Sequence, residues 1–250
     1  MVYLYGIHAC FAALRNKNRI IENVWCSESI VEKLENDGIL HNSEFFVKRK
    51  YNIADKKTLD RLVNGSHQGI VVKAQNLRSD TIDILKTSKS RIVVVLDHVS
   101  DTQNVGSILR LCRVFGVGAL VTTMSSTPQE NGAIAKMASG AIEVVPRCFV
   151  PNLADAIRKL KAYGYWIIGL AESAQTSLKE IDLTGKIAII VGSEGTGMRH
   201  LTKKLCDSLV HIPTDSEFST LNVTMATAIS LYEVFQIGDT RKQSINKVCV

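Results

Sequence analysis

Residues 186–198 read K-I-A-I-I-V-G-S-E-G-T-G-M, and residues 211–235 read H-I-P-T-D-S-E-F-S-T-L-N-V-T-M-A-T-A-I-S-L-Y-E-V-F. The run 187–191 is apolar and rich in β-branched residues, the pattern of a strand buried on both faces of a parallel sheet. It leads straight into Gly192, Gly195 and Gly197, which permit tight turns and close backbone approach. Residues 209–212 read as a second buried strand, stopped by Pro213. A polar loop follows, and Asn222 or its neighbour opens an apolar helix running to Phe235. In α/β proteins the loops beyond the carboxyl ends of parallel strands hold ligands. Two such loops so close together in sequence mark a site.

The familiar phosphate-binding patterns do not account for it. Gly192 and Gly197 have P-loop spacing, but Met198-Arg199 stand where Lys-Ser/Thr is required. The dinucleotide fingerprint G-x-G-x-x-G is absent. Further upstream, residues 95–116 read V-L-D-H-V-S-D-T-Q-N-V-G-S-I-L-R-L-C-R-V-F-G. These three blocks, in this order, resemble the motifs of the SpoU (TrmH-like) family of RNA ribose 2′-O-methyltransferases, and the resemblance extends over essentially the whole chain.

The rest of the chain is consistent with an α/β protein of two domains. Residues 1–75 read as a small α/β unit: helix 7–15, strand 23–26, helix 29–36, strand 44–47, helix 53–63 and strand 70–73. Its borders, Y-G-I-H-A and H-Q-G-I-V, resemble those of the family's N-terminal RNA-binding domain, which is similar to a ribosomal-protein fold. Residues 76–90 are polar and read as a linker with one helical turn. Residues 91–240 alternate strand and helix, with strands at 91–96, 119–122, 143–146 and 166–170 and helices at 105–115, 132–137 and 152–162. That alternation means a parallel sheet with helices on both sides. Residues 241–250 read as a C-terminal tail. For residues 91–240 the resemblance implies a SPOUT-type domain with a C-terminal trefoil knot, a rare exception to the rule against threaded connections.

Composition agrees with a polyanionic partner. Lys+Arg number 30 and Asp+Glu 24, a formal charge of +6. The basic run Lys48, Arg49 and Lys50, with Tyr51 beside it, suits a phosphate backbone and a stacked base, and equally suits a solvated loop. His67 reads as a hydrogen-bonding structural residue. The six cysteines (Cys10, Cys26, Cys112, Cys148, Cys206 and Cys249) show neither C-x-x-C nor metal-ligand spacing, so buried free thiols and no metal are expected. With neither a signal peptide nor a membrane-length apolar run, the expected compartment is the cytoplasm.

The resemblance implies S-adenosylmethionine as cofactor, with Gly192, Ile212 and Leu221 at the family's cofactor-contacting positions. It implies a catalytic set of Asn104, Arg110, Glu194, Thr220 and Asn222. Asn104 would orient the ribose and Arg110 would clamp a phosphate or act as base, with Glu194 holding the guanidinium. An arginine is ordinarily too basic to lose its proton. Without the motifs, Arg110 would read as a surface arginine and Glu194 as a carboxylate at a helix N-terminus. Two positions depart from the family pattern: Thr220 replaces the usual Ser, and Thr102 the proline common after the second Asp of the first motif. Within the family, the match over the full length and G-M-R-H-L-T at 197–202 are most similar to the RlmB-like branch, which modifies a guanosine ribose in large-subunit (23S) ribosomal RNA. Transfer RNA as substrate, or a non-catalytic ribosome-assembly factor, are the alternatives. Family members pair through the knotted domain, so a homodimer is expected, built partly on the helix at 222–235.

Overall fold

The computed structural model describes residues 1–42, 51–215 and 220–248, with side chains at 1–40, 51–215 and 220–237. The chain divides into two units. The first comprises Met1–Arg78, Val105–Arg110 and Pro128–Val144. It is built from β1 (Val2–Tyr5), α1 (Ile7–Arg15), β2 (Ile21–Cys26), α2 (Glu28–Asn36), α3 (Ile39–Asn42), β3 (Asn52–Ile53), α4 (Lys56–Leu62) and β4 (Ile70–Ala74). The strands form one sheet in the order β1-β4-β2-β3, antiparallel except for the β2–β3 pair.

Helix α1 spans the residues its apolar spacing predicts. Helix α4 starts at Lys56, three residues later than expected, because Asp55 caps it: the carboxylate accepts the Thr58 N–H at 2.9 Å. The expected strand at 44–47 and the basic run Lys48–Arg49–Lys50 lie outside the described residues. Tyr51 is half-buried. His67 has the structural role its setting suggests. Its Nδ1 accepts the Gly69 N–H at 2.9 Å, so Nε2 carries the proton and donates to Asp60 at 3.1 Å. Inside the same unit Arg19 is buried with its guanidinium between the carboxylates of Glu130 and Glu143, fastening segment 128–144 to the β1–β2 region. A buried cation survives only with such partners.

The second unit comprises Ser79–Asn104, Leu111–Thr127 and Val145–Val250. From residue 92 onward the chain forms β5 (Ile92–Asp97), α5 (Thr102–Val114), β6 (Leu120–Thr123), α6 (Gly132–Met137), β7 (Arg147–Val150), α7 (Leu153–Ala162) and β8 (Tyr165–Leu170), with α6 and the middle of α5 belonging to the first unit. Then follow β9 (Thr176–Ser177), β10 (Lys186–Gly192), α8 (His200–Leu205), β11 (Ser208–His211) and α9 (Val223–Val248). The seven strands β5–β11 make a wholly parallel sheet in the order β7-β6-β5-β10-β8-β11-β9. At its centre every residue of β5 is buried. One face packs Val93, Val95, Val121, Ile167 and Ile190 against Leu153, Ile157 and Leu160 of α7.

Several local expectations are corrected. The strand expected at 143–146 is displaced to Arg147–Val150. Pro146 has no N–H for the ladder, and the strand starts just beyond it, with the Pro146 carbonyl accepting the Leu120 N–H at 2.9 Å. The turn inside the expected linker is a 3-10 turn at Ile82–Lys86 whose Ile82 and Leu85 belong to the core of the second unit. Helix α9 continues to Val248, through the residues read as a tail. Gly106 lies within α5, where a Cβ would come within 2.6 Å of Met137 Cβ and 2.8 Å of the Ile134 carbonyl oxygen. Its missing side chain lets α6 pack closely.

Burial raises the thiols of Cys10 and Cys112 far above their ordinary range, that of Cys26 to about 11, and those of Cys148 and Cys206 to about 12. These are packed, unreactive groups. Cys249 lies outside the described residues. No helix among the described residues is long and apolar enough to cross a membrane.

Candidate functional site

Strands β10, β8 and β11 are neighbours, and their carboxyl ends open on one cavity of about 990 Å³. Its walls come from the end of β8 (Leu170, Glu172), the turn after β10 (Gly192 to Gly197), the segment after β11 (Ile212 to Asp215) and the start of α9 (Thr220, Leu221, Asn222, Val223, Ala226). The three expected cofactor positions, Gly192, Ile212 and Leu221, therefore line one cavity, together with Glu194, Thr220 and Asn222. The volume is at the upper end of the range for small-molecule sites, roughly 300–1,000 Å³.

Each wall has a local cause. The turn after β10 closes on itself through the Gly197 N–H to the Ser193 carbonyl, 2.9 Å, with Gly195 (φ 89°) and Gly197 (φ 66°) in the left-handed region. Gly192 has a different reason to be glycine. A Cβ there would lie 2.2 Å from Gly197 C and Met198 N, inside the turn's own backbone. A larger residue at 192 therefore collides first with the protein, not with an entering ligand. Asn222 opens α9 as expected: its Oδ1 accepts the Met225 N–H at 2.8 Å, leaving its amide exposed at the cavity rim.

The first motif contributes through α5. Asp101 caps the helix, its carboxylate accepting the N–H groups of Gln103 and Asn104 at 2.8 and 2.9 Å. Thr102 holds the first helical position, where a proline would only add pre-organisation. Asn104 Nδ2 donates to Glu194 Oε1 at 3.0 Å, and Asn104 Oδ1 accepts from Thr224 Oγ1 at 3.0 Å. So the carboxylate of Glu194 is engaged by Asn104, where the sequence reading gave it to Arg110. Arg110 follows Asn104 by six residues on the same helix, about 9 Å along the axis and a third of a turn round. Its side chain is exposed and has no partner among the described residues. Thr224 was missed by sequence reasoning. The T in L-N-V-T carries no signal of its own, and only the closure of α9 onto α5 brings its hydroxyl to Asn104.

The residues suit a nucleoside bearing a charged side group. Apolar surface from Val191, Ile212, Leu221 and Ala226 can cover a ring, and the turn and strand ends supply main-chain donors and acceptors. His211, also in the lining, keeps a buried Nδ1 that no group among the described residues meets. Among the described residues no cluster of three or more His, Cys, Asp or Glu is placed to hold a metal ion.

Comparison with known proteins bears on the same residues. Residues 91–232 match the SpoU rRNA Methylase family, and residues 3–79 match the family described as RNA 2′-O ribose methyltransferase substrate binding. The chain belongs to the SpoU rRNA methylase family. It is 33% identical over 247 residues to the 23S rRNA (guanosine-2′-O-)-methyltransferase RlmB of Pseudomonas syringae pv. tomato, covering 96% of this chain and 97% of that one. To the RlmB of Coxiella burnetii it is 36% identical over 244 residues, covering 92% and 94%. In fold it is similar to the AdoMet-bound rRNA methyltransferase of Sinorhizobium meliloti, with a TM-score of 0.77, 19% identity and coverage of 94% and 87%.

Proposed function

We propose that this chain transfers a methyl group from S-adenosylmethionine to the 2′-hydroxyl of a guanosine ribose in 23S ribosomal RNA. The observation that carries this is the link Thr224–Asn104–Glu194, which fixes an amide against Glu194 in the wall of the cavity that Gly192, Ile212 and Leu221 also line. The relatives named as 23S rRNA enzymes match 92–96% of this chain, which favours ribosomal over transfer RNA. The reading includes the knotted path expected for the C-terminal segment and places the protein in the cytoplasm with its substrate.

S-adenosylmethionine supplies an activated methyl group, so the protein's own work is orientation and charge. Gly192, Ile212 and Leu221 hold the cofactor. Asn104, its direction fixed from both sides, offers its remaining N–H and lone pair to the ribose. Thr220 and Asn222 complete the polar rim. Arg110 stabilises charge developing on the 2′-oxygen or clamps the adjoining phosphate, while the 2′-hydroxyl proton passes to an oxygen of that phosphate as the O–CH₃ bond forms. The test is methyl transfer from labelled cofactor to unmodified 23S rRNA. Label should appear on a ribose and vanish when the target 2′-hydroxyl is replaced by hydrogen. Label that survives the replacement would mean base methylation.

Selecting one nucleotide needs a second surface, and the first unit supplies it on this reading. Lys48, Arg49 and Lys50 contact phosphates, with Tyr51 as a stacking platform. Changing the three cations to glutamine should lower the slope of log affinity against log salt by about two units, at roughly 0.7–0.9 per contact, with cofactor binding unchanged. An unchanged slope returns the run to the solvated-loop reading.

The active form on this reading is a homodimer. Of the apolar residues on α9, Val223, Leu231 and Val234 are buried within their own unit. Met225, Ile229 and Tyr232 are exposed at a spacing that puts them on one face, and Phe235 is exposed beside them. A two-fold contact would cover this face. Sedimentation should show twice the 27.5 kDa chain mass. Ile229→Arg should weaken association by about 30-fold or more. A wild-type protein that sediments as a single chain at micromolar concentration would remove the dimer from the proposal.

A further inference from the structure

The side chain of Asp97 has no exposure at all, and the residue is the last of β5, directly opposite Gly192 in the β5–β10 pairing. Both carboxylate oxygens are committed to one residue. Oδ2 accepts the Arg199 main-chain N–H at 2.9 Å, and Oδ1 accepts Arg199 Nε at 2.7 Å. Removing a carboxylate from water is tolerable only with such partners. The arginine is placed differently: its side chain is 49% exposed, and among the described residues Nη1 and Nη2 meet nothing. Gripped at Nε, the planar guanidinium has its direction set while its outer edge stays open. That edge is the one that matches a phosphate.

The location gives the open edge a purpose. Glu194 and Arg199 belong to one segment after β10. Glu194 is bonded to Asn104 and Arg199 to Asp97, so the segment is tied at both ends to the β5–α5 connection. Asp97 is at the carboxyl edge of the sheet, the edge on which the cavity opens. At residue 98 the chain turns abruptly, with His98 in the left-handed region at φ 62°.

We propose that Asp97 and Arg199 form a substrate-positioning pair: Arg199 contacts a backbone phosphate of the RNA strand beside the target ribose, and Asp97 acts through it by fixing the guanidinium. This rests on the RNA methyl-transfer reading. The full-length protein is compared with Arg199→Gln, Arg199→Lys and Asp97→Asn. The readouts are binding of an unmodified 23S rRNA transcript across a salt series, KM for that RNA, cofactor affinity and unfolding temperature. Arg199→Gln should lower the salt slope by about 0.7–0.9 and raise KM for RNA about tenfold, with cofactor affinity unchanged. Arg199→Lys keeps the charge but not the fork, so the slope should stay and KM should rise. Asp97→Asn should give the same split, because the arginine remains charged but misdirected. A wild-type slope and KM in Arg199→Gln would overturn the proposal. So would a parallel loss of cofactor affinity or folding in both Arg199 variants, which would make the pair purely structural. The salt slope is read from binding alone. If the wild-type protein transferred no methyl group, the functional reading would fall while this proposal was still decided.

Discussion

Arg110→Ala is expected to lower the rate of methyl transfer by about 10²–10³-fold while leaving cofactor affinity within about twofold of wild type. The side chain is exposed on α5, with no internal partner among the described residues, so its removal costs the fold little. What it would remove is a positive charge available to the reacting oxygen or its phosphate. Arg110→Lys should recover only part of the rate, since an ammonium lacks the planar fork. Single-turnover transfer at saturating RNA measures this directly. Wild-type turnover in Arg110→Ala would end both the clamp and the base assignments.

The second large effect is expected from the smallest substitution available. Gly192→Ala should weaken cofactor binding by at least about 100-fold and destabilise the protein by about 1–3 kcal/mol. The added methyl would stand 2.2 Å from two backbone atoms at Gly197–Met198, a distance no rotamer can relieve. Backbone torsion is not the obstacle, because Gly192 is outside the left-handed region. The turn has to move, and with it Glu194 and the cavity wall. Calorimetric titration with S-adenosylmethionine, alongside a thermal unfolding curve, separates loss of the site from loss of the fold. Normal affinity in Gly192→Ala would show the turn to be more pliable than this crowding permits.

Much of this was legible in the sequence because the deciding segments carry strong local signals. The β-branched runs of β5 and β10 declare strands buried on both faces, and Asn222 declares a helix start by its capping chemistry. What escaped depends on tertiary pairing. β1 and β9 are short, and each pairs with a single neighbouring strand at the edge of its sheet. α8 is a six-residue helix without a side-chain cap. Gly106 gives no sign in the sequence that α6 packs against it. The partner of Glu194 was misjudged for a related reason: charge complementarity favours Arg110, whereas the geometry of α5 turns Asn104 toward the carboxylate.

The position of β10 also has a consequence in time. It lies between β5 and β8, yet begins 94 residues after β5 does (186 − 92). At about 5–20 residues per second, a ribosome takes roughly 5–20 s to cover that interval. During it β5 has only β6 beside it, and β8 has neither neighbour, since β10 and β11 both follow it in the chain. The emerging polypeptide thus carries apolar strands with open hydrogen-bonding edges until its last quarter is made, the condition under which strands pair with the wrong partner. A nascent chain halted before residue 186 should be captured by chaperones that bind extended apolar segments.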